Sequence, residues 1–180
     1  MEEHNNIEQQ DDYVVEEQFV VENVAEEATD YDRFFRIFFN KGEVLYMDCL
    51  NQVNAGRKMM FNVFAFLFGI YWMAYRKMYI EIIVLMFTLG IIDQILLLAL
   101  GETLITFYGL VGIAQMVILS LTANYFYIQK AKRTMEKATS MYAEEDDIEN
   151  YLRRKGGVNG WAPLILLILT LLVSVFFGEY

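Results

Sequence analysis

Residues 78–100 read MYIEIIVLMFTLGIIDQILLLAL. As a helix these 23 residues cover about 34 Å, enough for the ~30 Å hydrocarbon core of a bilayer. Gly101-Glu102 interrupt the run, and residues 103–128 are again long and mostly apolar. Residues 161–178, WAPLILLILTLLVSVFFG, form a third run of about 27 Å. A core helix of a soluble protein keeps a polar face, but Leu164 to Phe177 offers only Thr170 and Ser174. The expected fold is an all-α integral membrane protein with three transmembrane helices.

Segment 59–75, MMFNVFAFLFGIYWMAY, is only 17 residues long. Phe61, Phe64, Phe68, Trp72 and Tyr75 share one face of a helix, and Trp and Tyr favour the membrane interface. Ala65 and Gly69 make a small-xxx-small pair on another side. The segment is read as an interfacial or re-entrant helix packed on the 78–128 hairpin, with a full crossing as the alternative.

Charge is segregated along the chain. Residues 1–32 contain twelve Asp/Glu and no Lys/Arg, leaving 14 Lys/Arg against 12 Asp/Glu elsewhere. The acidity therefore belongs to the tail, and a nucleic-acid-binding body is not expected. Residues 1–30 are expected to be a disordered acidic tail. Tyr13-Val14-Val15 and Phe19-Val20-Val21, set among acids, suit docking to a protein partner. No basic start precedes an early apolar run, so no cleavable signal peptide is expected.

Tyr31, Phe34, Phe35, Phe38 and Phe39 fall at i, i+3, i+4, i+7 and i+8 and predict an amphipathic helix ending near Asn40-Lys41-Gly42, with Gly42 as a left-handed cap. A second helix is expected over 43–54, with Tyr46, Cys49, Leu50 and Val53 on one face. Together, residues 31–58 form a juxtamembrane unit. The loop 129–160 is expected to be helical in part, with Glu149 and Arg153 paired, a stop at Gly156-Gly157, and Asn159 capping the last helix.

The basic residues decide the orientation. Lys130, Lys132, Arg133, Lys137, Arg153, Arg154 and Lys155 separate the second and third apolar runs, and Arg76-Lys77 precede the first. The opposite side carries Glu102 and Glu179 without Lys or Arg. The basic side is expected in the cytoplasm and the C-terminus outside. If 59–75 does not cross, all 14 basic residues and the N-terminus also lie inside.

At Asn62-x-x-Ala65-Phe66, followed by Trp72-x-x-Tyr75-Arg76-Lys77-Met78-Tyr79, the chain resembles a bacterial inner-membrane family, the domain-of-unknown-function family 2628. Ala123-Asn124-Tyr125-Phe126-Tyr127 and Gly156-Gly157 agree with it. The resemblance extends over roughly 55–178. The family tends to carry an aromatic where Val63 stands. The resemblance implies a helical membrane architecture and carries no activity, cofactor or catalytic residue.

Few residues are suited to chemistry. A single Cys excludes an internal disulfide, and a single His argues against a His-rich metal site or a His-dependent triad. No nucleotide-binding glycine loop occurs. No enzyme activity, metal or cofactor is expected. Two candidate sites remain. Tyr75, Arg76, Lys77 and Tyr79 could contact an anionic lipid headgroup, or serve only as a topology anchor within an aromatic belt. Asp93, with Gln94 beside it and Gln115 on the return helix, is the deepest charge. Against lipid it would cost about 2.5–3.5 kcal/mol, so it should face the bundle. The overall expectation is a structural, scaffold or regulatory membrane protein whose acidic tail recruits a partner. The alternative is a small transporter or channel subunit using Asp93 as a proton or ion site.

Overall fold

The aromatic stripe of the first predicted helix turns inward. In the computed structural model, which describes residues 30–177, helix α1 (residues 30–39) buries Phe34, Phe35, Phe38 and Phe39. The helix packs on the body of the protein. It ends at Asn40, which takes φ +51° while its N–H bonds the Arg36 carbonyl at 2.9 Å. Asn tolerates this left-handed conformation because its short polar side chain can satisfy the local backbone. The expected cap at Gly42 is thus displaced: Gly42, at φ +87°, instead opens α2 (Glu43–Asn54). Helix α2 buries the expected face, Tyr46, Cys49, Leu50 and Val53, together with Met47. Burial pushes the Cys49 thiol up, with Asp48 acting in the same direction.

Segment 59–75 is not one helix. Residues 57–62 are non-helical and reach an extended Asn62, α3 covers Val63–Phe68 and α4 covers Ile70–Tyr75. Gly69 separates them at φ +51°, ψ −121°, a conformation only glycine adopts freely. The break corrects two expectations. Ala65 and Gly69 do not form a continuous small-residue face, and the aromatic stripe is divided. Phe61, Phe64 and Phe68 remain exposed, whereas Trp72 is buried.

Both flanks of the segment lie at the same end of α6 (Glu102–Met141). Lys132 Nζ donates to Asn54 Oδ1 before it, and Lys130 Nζ donates to the Lys77 carbonyl after it, each at 2.6 Å. The chain therefore folds back on itself between Asn54 and Lys77. Met60 and Asn62 donate their N–H groups to the carbonyls of Leu121 and Ser120, which docks the non-helical stretch on α6. Asn62 then caps α3 through Oδ1 to the Ala65 N–H and donates Nδ2 to Asn124 Oδ1 at 2.7 Å. Two pieces of the family pattern, the N-x-x-A segment and the Ala123-Asn124 pair, are thus one interlock.

Helix α5 (Tyr79–Leu100) has no buried residue. Ile82 and Leu85 are half-buried against the core, and the remaining large exposed apolar surface requires lipid or a partner. Gly101 at φ +54° joins it to α6, whose 40 residues extend about 60 Å, twice the hydrocarbon thickness. The far half of α6 buries Ala123, Tyr127, Ile128, Ala131, Met135 and Ala138 along one stripe. The alanines let α2 and α3 approach closely. Tyr79–Leu100 and Gly109–Met141 are long and apolar enough to cross a membrane. Helix α8 (Trp161–Phe177) is apolar but only 17 residues long.

Helix α7 (Glu145–Lys155) carries its acids in the first turn and its bases in the last, as the helix dipole favours, and Arg153 pairs with Glu149 at 3.1 Å. Gly156 follows because there is no space for a side chain: a Cβ would lie 2.8 Å from Phe38 Cα. The next N–H, of Gly157, donates to the Phe38 carbonyl at 2.7 Å. Asn159 Oδ1 then accepts the Trp161 N–H at 3.1 Å and starts α8.

Candidate functional site

Helix α4 ends in the string Tyr75-Arg76-Lys77-Met78-Tyr79. Its hydrogen bonds form a Schellman cap: the Lys77 N–H donates to Ala74 O at 3.0 Å and the Met78 N–H to Met73 O at 2.9 Å. The apolar contact that accompanies this motif is supplied by Met73 and Met78, both buried. The left-handed position, where Gly is usual, is held by Lys77 at φ +56°. For a residue with a Cβ that conformation costs about 1–2 kcal/mol.

The cap sends the two cations of the string in opposite directions. Arg76 is only 7 % exposed. Its guanidinium lies 4.4 Å from the ring centre of Tyr46, 5.4 Å from Tyr127 and 5.6 Å from Tyr75. Nη1 donates to the Lys41 carbonyl at 2.8 Å. Arg76 thus joins α4 to the α1–α2 turn, and Gly42 leaves room for it: a Cβ there would lie 3.2 Å from Nη2. Burial raises the Tyr46 phenol, and the adjacent guanidinium pulls it back down. This corrects the assignment of Arg76 to a lipid headgroup. Its charge is enclosed by aromatic faces and is not presented at the surface.

Lys77 points toward a basic cleft. The cleft holds about 450 Å³ and is lined by six cations from three places: Lys77 in the α4–α5 turn, Lys130, Arg133 and Lys137 on α6, and Arg154 and Lys155 on α7. Tyr79, Ile80 and Glu81, from the first turn of α5, complete one wall. Lys77 Nζ donates to the Arg154 carbonyl at 3.1 Å, tying α7 to the turn. Lys130 lies just past the apolar run that ends at Ile128. Burial brings its ammonium down to about 8; Glu81 opposes this, while Lys77 and Lys155 act with it.

Of the expected headgroup residues, the structure places only Lys77 and Tyr79 at this cleft. Tyr75 instead uses its carbonyl to accept the Asn159 N–H at 2.8 Å, and Asn159 Nδ2 also donates to the Tyr79 hydroxyl at 3.0 Å. Lys130, Arg133, Lys137, Arg154 and Lys155 enter the sequence reading only through topology. The spacing of the α6 set, i, i+3 and i+7, marks one helical face. No spacing reveals that α7 closes over it.

Asp93 faces the return helix. Gln115 Nε2 donates to Asp93 Oδ1 at 2.8 Å, a half-buried bond between α5 and α6. Gln94, one residue on, lies on the exposed side of α5 and does not join the pair. Ser120, Thr122 and Asn124 of α6 do not extend the site: Ser120 and Thr122 bond carbonyls of their own helix, and Asn124 holds Asn62.

Fold and site define an all-α protein in which two helices suited to a membrane carry an aromatic, helical headpiece with a basic cleft. The chain belongs to the DUF2628 family of proteins of unknown function, which matches residues 18–133. That stretch takes in α1 to α5 and α6 as far as Arg133, including the Asn62–Asn124 interlock and the Arg76 cage. Gly156-Gly157 lie beyond it. No curated protein and no solved structure matches the chain.

Proposed function

We propose that the protein is a scaffold of the bacterial inner membrane. Helices α5, the apolar half of α6, and α8 anchor it. The headpiece of α1, α2, α4, the far half of α6, and α7 sits at the cytoplasmic surface, with α3 dipping into the interface. The acidic residues 1–30 recruit a protein partner. The observation that carries this reading is the return of segment 59–75. With Asn54 and Lys77 both tied to the basic end of α6, the headpiece, the start of α1 and all 14 basic residues belong to one side. That distribution follows the positive-inside rule. Helix α8 starts beside Tyr75 and Tyr79 and contacts α4 through Tyr71 and Thr170, whose hydroxyls are 3.1 Å apart. It therefore runs from the same side, which leads the C-terminus out of the cell. Asp93 enters this reading as a packing lock, because its partner is a neutral amide on the adjoining helix.

Single cysteines in a Cys49→Ala background test the arrangement. Substitutions Glu102→Cys and Glu179→Cys should react with an impermeant maleimide on intact cells, while Lys58→Cys and Arg133→Cys should react only after lysis. External labelling at 58 would mean that segment 59–75 crosses and would overturn the proposal.

A further inference from the structure

We propose that the cleft between the start of α5, α6 and α7 is a binding site for a phosphate group, carried either by a lipid headgroup or by a soluble phosphate.

Stability gives no reason to gather six cations around one space of about 450 Å³. Like charges this close repel, and the half-buried ammonium of Lys130 also loses hydration. Acids were within reach. Glu145 and Glu149 of α7 are instead paired with Arg33, and Glu149 also with Arg153, on other faces of the headpiece. Among the described residues, none of the six cleft cations has a carboxylate oxygen within 4.0 Å in an ion pair, although Glu81 lines the same wall. Six cations against the single carboxylate of Glu81 leave the lining with a net positive charge.

The geometry suits a compact anion with several oxygens. Arg133 and Arg154 offer planar forks from two different helices, and Lys137 and Lys155 offer point charges. The backbone contributes as well. Lys77 is held at a positive φ, where Gly would be easier, and the extra cost retains an ammonium at the cleft. Lys77 and Lys130 donate to backbone carbonyls and are thereby held in place. The volume lies within the usual range for small-ligand sites.

One wall is apolar. Ile80 lines the cleft and is 74 % exposed, and the lipid-facing surface of α5 continues from it. A phospholipid could place its phosphate among the cations and its chains along α5. A soluble phosphate would use the cations alone.

The test uses the full chain and two probes. The first is phosphatidylglycerol in phosphatidylcholine nanodiscs, read as protection from thermal unfolding. The second is inorganic phosphate, titrated by calorimetry into protein held in phosphatidylcholine nanodiscs. The variant is Arg133→Gln with Lys137→Gln, two exposed residues whose loss leaves the core intact. The control is Arg57→Gln with Lys58→Gln, which removes the same charge away from the cleft. Affinity for one probe should fall about tenfold or more in the cleft variant and less than about twofold in the control. Loss for phosphatidylglycerol assigns the site to lipid, and loss for inorganic phosphate assigns it to a soluble ligand. Equal weakening in variant and control would show only a diffuse charged surface and overturn the proposal, as would failure of the native protein to bind either probe. If the double variant does not fold, Lys137→Gln alone is measured against Lys58→Gln, with the same comparison deciding.

Discussion

Arg76 and Lys77 are adjacent, equally charged and equally near the apolar run, yet they do different work. The peptide between them is the C-terminal cap of α4, and a left-handed residue there redirects the chain. Arg76 turns inward to three tyrosine rings and a carbonyl, while Lys77 turns to the cleft. Replacing Arg76 by Ala removes the cation–π contacts and a charged hydrogen bond. The expected loss is roughly 2–4 kcal/mol, with Arg76→Lys intermediate because an ammonium cannot stack or fork. Melting temperatures in mild detergent should follow the order Arg, Lys, Ala. An unchanged melting temperature in Arg76→Ala would remove the caged role assigned here.

Helix contacts in this protein depend on small residues in the headpiece and, between α5 and α6, on the Asp93–Gln115 bond. Gly156 lies against the backbone of Phe38, so Gly156→Ala must push α7 away from α1 and should cost about 1–3 kcal/mol. Gly90, which has nothing within 4 Å, is the matching control, and Gly90→Ala should not lower the melting temperature. In the α5–α6 hairpin, Asp93→Asn keeps an acceptor for Gln115 Nε2 and should leave the melting temperature unchanged. Asp93→Leu leaves the Gln115 amide without its partner and should lower it by an amount equivalent to about 1–3 kcal/mol. A clear loss of stability in Asp93→Asn would show that the carboxylate charge itself is required.

The whole molecule divides into a body with a buried core and two apolar helices, α5 and α8, that hold no buried residue among those described. The aromatic core gathers Phe38, Phe39, Tyr46 and Trp72 around Tyr127, with ring centres 4.7 to 6.2 Å from that of Tyr127. Helix α5 only borders the core, through the half-buried Ile82 and Leu85. Among the described residues the core begins with α1, and the apolar helices lie far from the N-terminus in sequence, so removal of residues 2–29 should leave membrane insertion intact, measured as resistance to alkaline extraction. Transfer of the truncated protein to the soluble fraction would show that these residues take part in insertion.

Properties that depend on neighbours in the chain were legible in the sequence. Hydropathy and length marked the 78–100 and 103–128 runs. Helical spacing marked α1 and α2 with their buried faces, and the order of acids and bases marked α7. Asn159 before an apolar run marked the start of α8. The course of segment 59–75 was not legible, because it depends on the backbone of Gly69 and on a hydrogen bond from Asn62 to a residue 62 positions away. A stripe of aromatics looks continuous until a glycine breaks the helix beneath it. The cleft was hidden for a related reason. Spacing groups Lys130, Arg133 and Lys137 on one face, but only the docking of α7 through Lys77 and Gly156 brings Arg154 and Lys155 opposite them. Periodicity states which residues share a surface. Which surfaces meet is decided by packing, and here two contacts of the Phe38 and Arg154 backbones decided it.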